Sequence, residues 1–264
     1  MTLFLCFTLE GPLASWGDIA PGEQRTSWSR PSKSAALGLV AAALGIERTE
    51  ETRLAALHDG LGFAVLAEQP GLPVTEFQTE QRPTTVGLNR FAKAQGRAPA
   101  TRGESLEIDE IATTISRRSF YVGSRHRIIL WPRGDAPEGL DAIAAALETP
   151  IFALFLGRRA YAPSRPLAPQ VIEAATLEGA LEYYLMADKK RLARRNERAV
   201  QDQSKSIRVE LWCDADPAPA LSGDIVETNT RRDAFRSSAP RMFVERLEGR
   251  LNFDISPTAG EQTS

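Results

Sequence analysis

The sequence predicts an α+β fold whose elements follow the split-βαβ, ferredoxin-like order. Three observations predict it. Apolar strand-like runs and Ala/Leu-rich helical runs alternate over residues 1–157 as β, α, β, insertion, β, α, β. A long polar, basic insertion separates the second and third strands. Finally, 42% apolar and 25% charged residues in 264 supply an ordinary core for one large domain or two small ones.

In chain order, residues 2 to 10 (TLFLCFTLE) read as a strand stopped by Gly11-Pro12. A turn-rich loop to Pro31 carries Trp16, Trp28, Arg25 and Arg30. From Ser32, SKSAALGLVAAALG has a hydroxyl N-cap, an Ala/Leu body and Gly45 as the residue after the C-cap, which predicts a helix. Residues 51 to 59 suggest a second short helix and 62 to 69 a strand. The insertion from Pro70 to about Ser116 has weak periodicity, many turn residues and several arginines. A long strand is expected at 119 to 132, an amphipathic helix at 140 to 148 and a buried strand at 151 to 157. Beyond these lie a helix near 177 to 188, a basic run from Lys189 to Arg198, a strand at 206 to 213 and short strand-like pieces to about 254; the tail from Ser256 is expected to be disordered.

Composition excludes several classes. The apolar run at Leu3 to Leu9 is far shorter than the roughly 20 residues of a membrane span and has no basic flank. Two distant cysteines, Cys6 and Cys213, and two histidines, His58 and His126, provide neither a disulfide framework nor a zinc site. A cytoplasmic protein without metal, cofactor or membrane partner is expected. The net charge of −2 argues, taken alone, against a nucleic-acid partner.

Its distribution argues otherwise. Segments 24–46, 81–103, 111–134 and 149–172 contain sixteen Lys or Arg and no acid, leaving the remaining 170 residues at −18. Such segregation focuses a polyanion onto part of the surface; the plainer reading is a set of solvated loops.

The motifs weigh between these readings. Gly157-Arg158-Arg159 places two guanidiniums in a glycine-bearing loop, where the backbone can approach a phosphate closely and arginine can grip it in two-pronged fashion. Pro31-Ser32-Lys33-Ser34 brings hydroxyls, backbone N–H groups and the positive end of a helix to one spot suited to an anion, or is simply a capped helix. Enzymatic templates fail: there is no phosphate-binding P-loop sequence, no dinucleotide fingerprint at Gly60-Leu61-Gly62 and no GxSxG. His58 reads as a surface or capping residue. His126, near Tyr121 and flanked by Arg125 and Arg127, reads as a strand histidine or as an acid/base in RNA cleavage.

Four motifs in order carry a resemblance: Gly11-Pro12-Leu13-Ala14-Ser15-Trp16-Gly17, Pro31-Ser32-Lys33-Ser34 through Leu44-Gly45-Ile46, Leu156-Gly157-Arg158-Arg159 with its trailing prolines, and Arg241-Met242-Phe243 with Arg246. Together they resemble the RAMP superfamily, specifically its subunit family in the type I-E CRISPR Cascade. The resemblance implies a modified ferredoxin-like (RRM-like) domain at 1–169 with a thumb insertion around 76–118, plus a smaller β-rich C-terminal part at 170–255. It implies a noncatalytic role, holding the CRISPR RNA (crRNA) 5′ handle, with the Cascade backbone and large subunits as partners. Arg25, Arg30, Ser32, Lys33, Ser34, Arg158 and Arg159 would then meet RNA. Trp16 would stack on a base or, as favoured here, pack its loop. On charge rather than motif, Arg82, Asn89, Arg90, Lys93, Arg97 and Arg102 are thumb candidates for RNA or subunit contacts. The alternative is a metal-independent endoribonuclease acting on repeat RNA. Ala160-Tyr161-Ala162 departs from the family, in which a cysteine often follows the paired arginines.

Overall fold

The computed structural model describes every residue except 18–21, 135–137, 196–206, 217 and 256–264, so Arg198 and the tail from Ser256 lie outside the described residues. The elements are, in order, β1 (Thr2–Ala14), three two-residue strands β2 (Trp16–Gly17), β3 (Gln24–Arg25) and β4 (Ser27–Trp28), α1 (Lys33–Ala43), α2 (Glu51–Gly60), β5 (Leu61–Gln69) and β6 (Leu72–Pro83). They continue with α3 (Thr85–Gln95), α4 (Arg102–Leu106), β7 (Ile111–Pro132), α5 (Leu140–Glu148), β8 (Gln170–Ala174), α6 (Leu177–Arg195), β9 (Ile207–Asp214), β10 (Glu227–Ser238) and β11 (Arg241–Ile255). The fold is α+β. It divides into two compact units, one of residues 1–16, 29–72 and 121–264, the other of 17–28 and 73–120.

In the first unit the sheet runs β10-β11-β9-β5-β7-β1-β8. Its four strands β5, β7, β1 and β8 are each antiparallel to their neighbours, with α1 and α2 crossing between β1 and β5 and α5 between β7 and β8. Helices cover both faces, which is why β1 reads as an almost unbroken apolar run. Phe4 and Cys6 join Ile129, Trp131, Leu181 and Tyr184 under α6. Leu5, Phe7 and Leu9, pointing the other way by strand alternation, are fully buried as well.

Helix α1 forms where its caps require. Ser32 Oγ accepts a hydrogen bond from Ala35 N at 3.1 Å, while Gly45 (φ 72°) lets the N–H groups of Gly45 and Ile46 bond Ala42 and Ala41 carbonyls. Strand β1 does not stop at Gly11-Pro12: beyond Cys6 no β8 residue pairs with it, so Pro12 lies on an edge, where its missing donor is tolerated.

Three expectations are corrected. The stretch 151–157 is not a strand: Ile151 N bonds Ala43 O and Phe152 N bonds Ala42 O, fastening the segment to the end of α1 with Ile151 and Phe152 exposed. The strand that follows α5 is Gln170–Ala174, paired to β1. The C-terminal pieces are two long strands, 12 and 15 residues. His58 is buried rather than at the surface, its ring stacked 5.0 Å from Phe235.

The second unit is ordered by local signals inside the insertion. Thr84 caps α3 through Gly87 N at 3.0 Å. Thr101 caps α4 through Glu104 N, and the Glu104 side chain reaches back to Ala100 N, a Thr-x-x-Glu pairing close to a capping box. Strands β6 and β3 both pair with β7, the latter in parallel.

Candidate nucleic-acid interface

The first unit brings the four sequence motifs together in two pairs. The end of β1 packs on the Gly157 loop: Ser15 N donates to Leu156 O at 3.0 Å, and a methyl group built on Gly157 would sit 1.7 Å from Ser15 O. Gly157 has φ 89°, a conformation glycine adopts without penalty. Leu156 N bonds Tyr161 O and Tyr161 N bonds Arg158 O, closing a tight turn around the two arginines. Arg158 donates to Tyr161 Oη at 2.8 Å and lies 5.4 Å over its ring. Arg159 is exposed at the turn's apex. Tyr161, in the Ala160-Tyr161-Ala162 segment, is therefore one side chain that holds Arg158.

Two partly buried ion pairs of Arg165 brace this loop. Arg165 bonds Glu10 and, at 2.5 Å, Asp188, while Ser164 N donates to Glu10 O. Asp188, itself 1% exposed, also accepts from Arg127 at 2.5 Å and from Arg191 of the basic run. Burial pushes the Asp188 carboxyl up, but the Arg127, Arg191 and Arg165 guanidiniums outweigh it and hold the pKa below the usual range.

The second pair joins the start of α1 to the β10–β11 hairpin. Lys33 is 4% exposed; its ammonium donates to Asp214 at 2.9 Å and its backbone N–H to Asp233 at 2.8 Å. The anion expected at this helix start is thus the protein's own Asp233 carboxylate. Arg30 is buried, ion-paired with Glu248 and stacked 3.6 Å from the Trp212 ring centroid. Ser32 is consumed as the cap, with its hydroxyl 3.0 Å from that of half-buried Ser34. Arg246, from the fourth motif, bonds Asp233, Asp214 and Glu248. Burial opposes its charge, yet those carboxylates hold its pKa above the usual arginine value. Of the expected RNA-facing set, Arg30, Ser32 and Lys33 are therefore internal, whereas Arg158 and Arg159 stand at a surface loop.

Trp16 links the two pairs. It is 2% exposed and meets the His126 ring edge-on at 5.9 Å, so it packs its loop. His126 is fully buried, its Nε2 2.9 Å from Ser29 O; burial first, and the charge of Arg30 after it, lower its pKa to about 4 and keep the ring neutral.

In the second unit Arg25 is exposed, donating to Gly22 O at 2.6 Å, and pairs in register with Arg118 as Gln24 does with Arg117. Arg82, Asn89, Arg90, Lys93, Arg97 and Arg102 are exposed. Arg90 pairs with Glu110, Arg97 with Glu104, and Arg102 donates to Gln81 O. Arg117 and Arg118 were missed as candidates, although the acid-free run around them was a usable signal. Asp214, Asp233, Glu248, Glu10 and Asp188 were missed too. The i, i+2 charges Arg231/Asp233 and Arg246/Glu248 within strands could have flagged a buried network.

Comparison with known proteins shows what this chain is similar to. The chain is 27% identical over 184 residues to the CRISPR system Cascade subunit CasD of Escherichia coli (strain K12), covering 70% of this chain and 78% of that protein. Its fold is similar to a chain of a CRISPR RNA-guided surveillance complex (19% identity, TM-score 0.60, 96% of this chain and 90% of that one). It is also similar to a Cas protein crystal structure (22% identity, TM-score 0.57, 96% and 95%). The model of the family described as "CRISPR-associated protein (Cas_Cas5)" matches residues 4–224, a span holding three of the four motifs, and the chain belongs to that family.

Proposed function

We propose that this protein is the noncatalytic subunit that holds the crRNA 5′ handle in a type I-E CRISPR Cascade surveillance complex. The observation that carries the reading is the Gly157–Arg159 turn, a positive-φ glycine loop braced by the first motif and presenting two arginines. The strand arrangement β5, β7, β1, β8 with its crossing helices supports a ferredoxin-like RAMP core. Residues 73–120 are the proposed thumb. In the first unit Ser34, Arg158 and Arg159 meet handle phosphates, with Arg30, Ser32 and Lys33 fixing the start of α1; in the second unit Arg25 meets them as well. Exposed Arg82, Asn89, Arg90, Lys93, Arg97 and Arg102 serve RNA or the neighbouring backbone subunit, and the body meets the large subunit. The similarity to a Cascade subunit supports these partners.

Burial and neutrality of His126 speak against an endoribonuclease built on that residue. The test combines two measurements. Purified protein binds handle RNA more tightly than an unrelated oligomer, and repeat RNA incubated with it in EDTA stays intact. Equal affinity for both oligomers, together with a protected 5′ end in a complex assembled without this subunit, overturns the handle reading. Discrete cleavage in EDTA overturns the noncatalytic one.

A further inference from the structure

We propose a protein-docking edge: strand β8, with the groove between it and α6, takes an extended peptide segment rich in Lys or Arg, which pairs with β8 as a further strand of the sheet. The groove, a cleft of about 420 Å³, is lined by Val171, Ile172, Glu173, Ala174, Gly179 and Tyr183. Nothing in it depends on the Gly157 turn or on handle recognition.

The backbone is the first support. β1 pairs with β8 on one side, and among the described residues no strand pairs with the other. Alternate residues of such an edge strand turn their N–H and C=O groups outward, a row that another chain can continue. β8 is short, but it has neither bulge nor proline, and its one charge, exposed Glu173, repels only a strand of like sign. The wall of the groove is the second support. Gly179 and Tyr183 lie one turn apart on the same face of α6. A methyl group built on Gly179 would find only Thr176 Oγ1, at 3.3 Å, within 4 Å among the described residues beyond its chain neighbours and its own helix backbone. Packing inside the chain therefore does not call for glycine here, although glycine weakens a helix relative to alanine. The missing side chain leaves room beside β8 for the side chains of an added strand, and Tyr183, 61% exposed, offers them an apolar ring with a hydroxyl at its rim.

Charge selects the occupant. Residues 166–188 contain Glu173, Glu178, Glu182 and Asp188 and no Lys, Arg or His, and α5, packed against β8, adds Asp141 and Glu148, again without a cation. Glu173, Glu182, Asp141 and Glu148 are exposed. Such a rim repels RNA and a second copy of itself, and it attracts a strand whose Lys or Arg falls opposite Glu173.

The probes are two synthetic peptides, one alternating valine with lysine and the other valine with glutamate, and a single-stranded RNA, each titrated at one ionic strength into the full chain, Glu173→Lys and Tyr183→Ala. Both substituted side chains are exposed, so the variants are expected to fold. Affinity is read by fluorescence anisotropy and the place of binding by hydrogen–deuterium exchange. The lysine peptide is expected to bind and to slow exchange at residues 170–174, as new backbone hydrogen bonds require, while the glutamate peptide does neither. Glu173→Lys is expected to weaken the lysine peptide about tenfold, and Tyr183→Ala to weaken it as well. Exchange at 170–174 that the lysine peptide leaves unchanged, or equal affinity for the two peptides, overturns the proposal. Slowing of that exchange by RNA rather than by peptide, or by raising the protein concentration alone, overturns it in favour of an RNA site or a second copy of this chain.

Discussion

At the residue scale, Gly157 has the sharpest requirement in the site. A side chain there meets two penalties at once: a φ of 89° and a carbonyl 1.7 Å from the new Cβ. Gly157→Ala must therefore move the Ser15 backbone or open the turn that holds Arg158 and Arg159. The strained φ alone costs on the order of 1–3 kcal/mol. The variant is expected to lose at least that much stability in urea denaturation and to bind handle RNA more weakly than Arg159→Ala does. Wild-type stability would mean that the loop has room the geometry denies. This glycine was legible in the sequence because Gly-Arg-Arg after an apolar run is a local pattern. The surroundings of Lys33 were not legible, for the opposite reason. A hydroxyl cap and a lysine at a helix start look the same whether the neighbouring anion is a ligand phosphate or, as here, an aspartate 200 positions along the chain.

At the scale of elements, helix α1 and the strands at 61–69 and 207–214 follow their sequence patterns, since caps and apolar runs act locally. IFALFLG failed as a strand because a short apolar run does not record which neighbours it finds; residues 170–174 took the place beside β1. What holds α6 on the sheet was likewise invisible, being made across long separations. Tyr184 Oη meets Thr8 Oγ1 at 2.8 Å and donates to the carbonyl of Ala168, a non-glycine residue held at φ 54°. One turn on, Asp188 gathers Arg127, Arg165 and Arg191. Asp188→Ala would leave the buried Arg127 and the partly buried Arg165 short of a counter-charge, and removal of one partner from such a cluster costs about 3–5 kcal/mol. The expected result is a loss of that size in denaturant midpoint. The double variant Arg127→Leu/Asp188→Leu should lose less than the two single changes together, because it removes charge from both sides. Strict additivity in that cycle would mean that the two groups do not interact energetically.

On the scale of the whole molecule, the charge segregation that first suggests a polyanion is partly undone by folding. Arg30, Lys33, Arg125, Arg127, Arg133 and Arg165, all from acid-free segments, pair with Glu248, Asp214, Glu10, Glu68 and Asp188 from the acid-rich remainder. A count along the chain cannot separate a cation that faces solvent from one neutralised by a distant strand, and only the former releases counterions when RNA binds. The two kinds should separate in the salt dependence of RNA affinity. Each phosphate contact on single-stranded RNA contributes about −0.7 to the slope of log K against log salt. The Arg158→Ala/Arg159→Ala double variant is therefore expected to flatten the slope by about 1.4 while unfolding at nearly the wild-type temperature. Arg30→Met, which unpairs a contact to buried Glu248 and removes a guanidinium from Trp212, should do the reverse, lowering the unfolding temperature and leaving the slope unchanged. A slope that falls equally in both would mean that Arg30 leaves Glu248 to meet RNA.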